Sequence, residues 1–337
     1  MVVFVCTTEK SGVDRYSKEL AKRINGHIVF ASRYSLGLKT ISLLKTLRNF
    51  SELIHFPNQH FGRYLPFLFV DSIITVHDVD RMVFNHEKES IFERIGLFFD
   101  RWVIRFAKHI ITVSETTKSD LIKYLNIPNE RITVIYNGVD HKVFSPKRKN
   151  KLFPFRYVLF VGSERPRKNL ERIFKAFAML LKNPQFKDMK LVKIGGPGRE
   201  ISFREDTINF LENIGIKEHC VFLEDVENKD LSKYYTSAEF LIYPSLYEGF
   251  GLPILESMAS DCPVITSKVS ATAEISSKAA LLVDPLNIKD IYQGMFNLMI
   301  DTDLRQDLIR KGNKLVRQFS WDKTVDETMQ LYRNLSK

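Results

Sequence analysis

Twelve short β-branched runs alternate with amphipathic stretches of helical length, and that rhythm confines the chain to parallel-sheet α/β architecture. Parallel strands need long crossovers, usually helices, so both faces of such sheets must be covered. In the first half the runs predict strands at Val2–Cys6, His27–Ala31, Leu53–Phe56, Ser72–Val76, Ile110–Val113 and Ile132–Ile135. Helices between them are clearest at Val13–Ile24, Glu89–Lys108 and Glu115–Leu125. The pattern breaks around Asp140–Phe155, where Pro146 and the run Lys147, Arg148, Lys149, Lys151 read as an exposed linker. It then restarts with strands at Tyr157–Val161, Leu191–Ile194, Val221–Leu223, Phe240–Tyr243, Val264–Thr266 and Leu281–Val283. Three helical segments close the chain from Ile288 to Leu335. A length of 337 residues suits two domains, here 1–147 and 151–320, each a doubly wound Rossmann-like sheet. Open α/β sheets bind ligands beyond the carboxyl ends of their strands, so a central cleft between the two is the expected site.

Charge narrows the partners. Residues 1–150 hold 23 basic and 15 acidic side chains, whereas 151–337 hold 27 and 25. The first half should therefore face phosphate groups, a membrane surface or nucleic acid. Its best candidate segment is Leu36–Phe50, with Leu38, Ile41, Leu44 and Leu47 at helical spacing beside Lys39, Lys45 and Arg48. That pattern fits an interfacial helix on anionic lipid, or equally a core helix with a solvated edge. The segment Glu89–Lys108 mixes Phe92, Phe98, Phe99, Trp102 and Phe106 with Arg94, Arg101, Arg105 and Lys108, and reads as mostly core. No nucleic-acid-binding module is recognisable, so nucleic acid is not expected as a partner. Cys6, Cys220 and Cys262 are widely spaced and odd in number, which argues for a reducing compartment over a disulfide framework or zinc site. With no signal-peptide pattern and no 18-residue apolar window, the expected location is the cytoplasm, peripheral on the inner face of the membrane.

Three strand-to-helix junctions could carry chemistry. In the first, Cys6–Tyr16, Gly12 permits either a plain turn or close approach of an anion to a helix N-terminus. The second runs Val161-Gly-Ser-Glu-Arg-Pro-Arg-Lys-Asn169 into a helix at Leu170–Leu181. Arg167 and Lys168 are disfavoured at the positive end of a helix, so a negative group such as a diphosphate should compensate them. A solvated basic loop is the plainer alternative. The third, Tyr243–Glu256, brackets Phe250 between Gly249 and Gly251 and places Pro253 where a helix starts. Its amides can cradle a phosphate, and Glu248 and Glu256, the latter read as lying on the first helical turn, can accept hydrogen bonds from hydroxyls of a sugar and a ribose. A loop-fixing and a capping glutamate is the alternative.

The third junction resembles the signature of the retaining family-4 glycosyltransferases of GT-B fold, two glutamates around Gly-Phe-Gly-Leu-Pro. Further passages of that family follow in order: Gly12-Val-Asp-Arg-Tyr16, Thr75-Val-His-Asp78, Thr112-Val-Ser114, Asn137-Gly-Val-Asp140, Pro166-Arg-Lys-Asn169, Cys262-Pro-Val264 and Phe319-Ser-Trp321. The resemblance implies that Gly12, Arg167 and Lys168 meet the donor diphosphate and that Glu248 contacts the transferred sugar. It further implies that Phe250, Gly251 and Leu252 offer backbone contacts beside Gly249, and that Glu256 holds the ribose. His77, by itself a core or capping histidine, is implied to sit near the anomeric carbon, giving a catalytic set of Glu248, His77, Arg167 and Lys168. A terminal helix at 321–337 is implied to pack back on the first domain. Ser11, Asp14, Asp261, Ala273 and Ser276-Ser277 depart from the family pattern.

The implied activity is metal-independent hexosyl transfer with retention. The donor is a nucleotide diphosphate sugar, preferably GDP-mannose, and the acceptor a hydroxyl on a glycan or lipid. A UDP-hexose transferase, a glycoside phosphorylase of the same fold and a catalytically silent nucleotide-sugar-binding protein remain alternatives. Asp78-Val-Asp80 and Asp301-Thr-Asp303 spell a metal-binding Asp-x-Asp, but no metal is expected because cations and helix dipoles already supply positive charge.

Overall fold

The computed structural model describes residues 2–7, 12–31, 38–50, 53–68, 70–84, 91–146, 152–198, 200, 202–224 and 226–335. Ser11, residues 36–37 and the linker residues Lys147, Arg148, Lys149 and Lys151 lie outside the described residues. The chain divides into two compact units, residues 1–138 with 321–337, and residues 139–320. The division falls earlier than the basic segment suggests. Val139 bridges to Ser320, and the buried Phe144 packs its ring edge 6.1 Å from Tyr235, so 139–146 belong with the second unit.

The first unit holds strands β1 (Val2–Cys6), β2 (His27–Phe30), β3 (Leu53–Phe56), β4 (Ser72–Val76), β5 (His109–Thr112) and β6 (Ile132–Val134). They form one parallel sheet in the order β2-β1-β3-β4-β5-β6. Strands β3, β4 and β5 are buried at every position, as an apolar run without alternation requires in a sheet covered on both faces. The terminal helix Trp321–Leu335 completes this unit: Trp321, Leu331 and Tyr332 join Phe4, Tyr16, Leu20, Ile73 and Ile111 in one core. Thr324 Oγ1 donates to the Tyr136 carbonyl at 2.7 Å and fixes that helix to the end of the sheet.

Of the two helices singled out in this unit, one takes the second of its two expected roles and the other departs from its reading. In Leu38–Arg48, Leu43 and Leu47 are buried while Lys45 and Arg48 are exposed, so this is a core helix with a solvated edge. Helix Ile91–Val103 turns Leu97, Asp100 and Val103 inward and leaves an aromatic stripe outside. Reading Glu89–Lys108 as mostly core is therefore wrong.

The second unit holds β7 (Tyr157–Val161), β8 (Lys190–Ile194), β9 (Cys220–Leu223), β10 (Leu241–Tyr243), β11 (Val264–Ser267) and β12 (Leu281–Val283). Its parallel sheet runs β12-β11-β10-β7-β8-β9, the doubly wound order of dinucleotide-binding sheets. The strand order reverses between β7 and β10, so their outgoing loops diverge to opposite faces there. Among the described residues no helix is long and apolar enough to cross a membrane.

Candidate active site

The second and third junctions are the loops that leave β7 and β10, so the sheet order sets them side by side at its switch point. Beyond β7 the chain makes a tight turn at Pro166–Lys168, takes a left-handed conformation at Asn169 (φ 64°) and enters helix Leu170–Leu181. The Asn169 amide donates to the carbonyls of Pro244 at 2.9 Å and Pro285 at 2.7 Å. Leu246 N–H donates to the Arg167 carbonyl at 2.8 Å, which ties the two loops together. Arg167 and Lys168 are consequently only 9% and 8% exposed, which removes the solvated-loop alternative.

Buried cations need partners. The Glu248 carboxylate supplies one: Oε2 accepts from Arg167 Nη1 at 2.9 Å, and Oε1 accepts from Lys168 Nζ at 2.6 Å and Tyr243 OH at 3.0 Å. Arg167 Nη1 also donates to the Tyr247 carbonyl at 3.0 Å, and Lys168 Nζ to Tyr243 OH at 2.5 Å. Glu248 N–H donates to Ser270 Oγ at 3.1 Å, fixing the loop that carries the carboxylate. Burial alone pushes the Glu248 carboxyl up, but the charges of Arg167 and Lys168 outweigh it and hold the group at about 2. Burial draws Lys168 down to about 8, against the pull of Glu248 and with the push of Arg167. The compensating anion sought from sequence is thus within the chain, 80 residues beyond Lys168. Arg167 and Lys168 thus share the Glu248 carboxylate.

Gly251 (φ 109°) starts helix Leu252–Ala259, and a Cβ there would press within 3.1 Å of Ile254. Phe250 is buried with its ring edge 6.2 Å from Phe319, between Gly249 and Gly251. Glu256 is the fifth residue of that helix, so it opens the second turn and not the first. It accepts from Tyr235 OH at 3.0 Å through Oε2. Burial and the neighbouring Glu256 keep that phenol protonated as a donor.

In the first unit Gly12 opens helix Gly12–Ile24, while the loop residues 8–11 before it lie outside the described residues. Asp14, buried, accepts from Thr7 Oγ1 at 2.7 Å and so ties this helix back to the end of β1. His77 follows β4, receives the edge of Tyr16 at 4.9 Å, and bonds through Nε2 to the Pro57 carbonyl at 2.8 Å. A carbonyl only accepts, so Nε2 carries the proton. Behind it His55 lies fully buried, 2.8 Å from Thr75 Oγ1 and 2.5 Å from Tyr332 OH. Burial first, and His77 second, lower its imidazole to about 3, so His55 is neutral.

Both Asp-x-Asp passages do local backbone work. Asp78 Oδ1 accepts from Asp80 N–H at 3.2 Å, and Asp301 Oδ1 caps helix Thr302–Val316 by accepting from Leu304 N–H at 2.8 Å. The sequence analysis missed Tyr243, Ser270 and Tyr235, and also a buried ion network beside the site. Lys193, buried in β8, reaches Glu164 Oε1 at 2.7 Å and the Gly196 carbonyl at 3.0 Å, and Arg204 Nε meets the same oxygen at 2.7 Å. A lysine inside the apolar run Leu191-Val-Lys-Ile194 was the available signal.

The family model described as Glycosyl transferases group 1 matches residues 144–315, and that described as Glycosyltransferase Family 4 matches residues 2–143. The O-antigen chain mannosyltransferase B of Escherichia coli is 29% identical over 343 residues, covering 96% of this chain and 87% of its own. The O-antigen chain mannosyltransferase RfbU of Salmonella typhimurium is 28% identical over 253 residues, covering 75% and 66%. Among solved structures, Anabaena HepE in complex with UDP and glucose superposes with a TM-score of 0.84 at 15% identity over 99% of both chains. The sucrose-phosphate synthase of Thermosynechococcus elongatus gives 0.80 at 20% identity over 99% and 98%. The fold is of the GT-B class expected from sequence, with two Rossmann-like parallel sheets.

Proposed function

This chain belongs to the Glycosyl transferases group 1 family, and from that premise we propose that it moves mannose from GDP-mannose to a glycan or lipid-linked hydroxyl. In this reading the configuration is retained and no metal ion is required. The observation that carries it is the buried Arg167–Glu248–Lys168 cluster at the switch point of the second sheet. A nucleotide diphosphate brings the negative charge this cluster lacks. Arg167 forks two phosphate oxygens and Lys168 acts as a point charge, and both stabilise the diphosphate as it leaves.

Glu248, ionised and held by both cations, faces the sugar that becomes cation-like as its bond to phosphate lengthens. Glu256 takes the ribose hydroxyls, and His77 is the first unit's member of the catalytic set. The departing phosphate, on the same face as the acceptor, takes the acceptor proton. Mannose is favoured by the mannosyltransferase relatives and by the Pro166-Arg-Lys-Asn169 form of the loop. A UDP-hexose donor is the second reading, favoured by the fold shared with the UDP-bound HepE.

Slow donor hydrolysis followed by NMR across GDP-mannose, UDP-glucose, UDP-GlcNAc and UDP-galactose, with and without EDTA, tests both. Turnover of GDP-mannose that survives EDTA is expected. Turnover confined to a UDP sugar overturns the donor. Loss on chelation restored by magnesium or manganese overturns metal independence.

A further inference from the structure

Ile95, Phe98, Phe99, Trp102 and Phe106 follow one another at helical spacing on Ile91–Val103 and the turn Ile104–Phe106 that continues it. A stripe of this kind normally faces a core. Here the five side chains are 50%, 69%, 54%, 51% and 49% exposed. The opposite side of the same helix is already satisfied, with Leu97 and Val103 buried and Asp100 paired to Arg63 at 3.1 Å and His60 at 3.1 Å. The rings form two T-shaped pairs along this side, Trp102 with Phe106 (centroids 4.9 Å apart) and Phe98 with Phe99 (6.3 Å), an exposed aromatic ridge.

Cations lie alongside it. Arg101 and Arg105 donate to the carbonyls of Tyr124 at 2.7 Å and Leu125 at 2.6 Å, the last turn of helix Glu115–Leu125. Arg131 donates to the Arg105 carbonyl at 2.7 Å. Among the described residues none of the three forms an ion pair with a carboxylate, and they donate to these backbone carbonyls.

We propose that this face docks on an anionic lipid surface, with the aromatic ridge entering the headgroup layer and Arg101, Arg105 and Arg131 meeting lipid phosphates. Charge chooses this occupant. A second copy laid on the same face would bring the two sets of arginines together, in a half-chain already in excess by eight positive charges. A free polyanion would satisfy the arginines but leave the ridge in water. Aromatic side chains with an apolar body beside cations are what the membrane interface takes up. The inference is independent of the donor and sugar proposed above.

The chain carries two tryptophans, Trp102 and the buried Trp321, so Trp102 reports on this face directly. Co-sedimentation with phosphatidylcholine vesicles, with and without phosphatidylglycerol, gives the affinity. Binding to the anionic vesicles is expected, with a blue shift of Trp102 emission and release at high salt. Phe98→Ser with Phe99→Ser should weaken it by roughly tenfold or more, since each ring buries a large apolar area. The thermal midpoint and donor hydrolysis of that double variant should be unchanged, because both rings lie outside the core and outside the nucleotide site. Equal partition to neutral vesicles, unmoved Trp102 emission, or undiminished binding by the double variant overturns the proposal. So does a dimer that the double variant dissociates, or binding to heparin with none to vesicles.

Discussion

The two units are built on six parallel strands each, yet they solve the loop beyond the sheet in opposite ways. The second gathers buried charge: Arg167 and Lys168, at 2.9 and 2.6 Å from the Glu248 carboxylate. The first gathers buried hydroxyls around a neutral imidazole: Tyr16, Thr75 and Tyr332 about His55, with the His77 ring against Tyr16. The difference teaches that one α/β architecture supports a site for a charged ligand part where two loops can lock cations against a carboxylate. Where aromatic rings and hydroxyls fill the same kind of space, the polar groups instead satisfy one another. It also predicts that the two respond differently to mutation and pH.

The largest effect should come from removing the carboxylate. Glu248→Ala leaves Arg167 and Lys168 buried beside each other, and loss of one partner from a buried ion cluster costs about 3–5 kcal/mol. Chemical denaturation should show it, with partial recovery on adding nucleotide diphosphate. Undiminished stability would break the contrast between a charged and a neutral unit. Next in size, Arg167→Ala should weaken nucleotide diphosphate binding by roughly ten- to hundredfold, the worth of a hydrogen bond to a charged group. An unchanged affinity by calorimetry refutes the assignment.

The neutral cluster should instead show itself in acid. His55 titrates at about 3 in the folded chain, below the ordinary histidine value of 6.5. The unfolded chain therefore takes up a proton between those values and the folded chain does not. Stability from this group is complete above pH 6.5 and falls by about 1.4 kcal/mol per pH unit below it. His109 is shifted the same way by burial and by Arg131, so the diagnostic is the part of the acid slope lost in His55→Gln. Tyr332→Phe, which removes a hydroxyl 2.5 Å from His55, should cost about 1–2 kcal/mol and leave nucleotide affinity unchanged. The charged unit should respond on the alkaline side. As Lys168 loses its proton above pH 8, kcat/KM for the donor should fall, and Lys168→Arg should abolish that limb.

Strands were legible in the sequence almost to the residue: Val2–Cys6, Leu53–Phe56, Ser72–Val76, Tyr157–Val161 and Leu281–Val283 stand as read, Ile110–Val113 moves back one residue to His109–Thr112, and the others shift by one residue at one end. A β-branched run between turn residues has few other solutions. Asp261, placed where the family uses glycine, does adopt a left-handed conformation (φ 56°), which aspartate tolerates. The site was legible as residue types but not as pairings. Arg167 and Lys168 announced a missing anion, while nothing local identified Glu248 as that anion, because the pairing depends on β7 and β10 being neighbours. Helix Ile91–Val103 failed for a different reason. Periodicity reports that an apolar stripe exists and is silent on which side of the helix the fold covers.

The central claim is that Glu248 acts on the reacting sugar while Glu256 holds a part of the donor that does not react. Donor hydrolysis kinetics on Glu248→Gln and Glu256→Gln separate them, since Gln keeps the shape and an acceptor oxygen and removes the charge. Glu248→Gln should lower kcat about tenfold or more, at least ~1.4 kcal/mol of transition-state stabilisation, whereas Glu256→Gln should mainly raise the donor KM. A Glu248→Gln protein that changes only in KM, beside a folded Glu256→Gln protein that no longer turns over, would contradict the account.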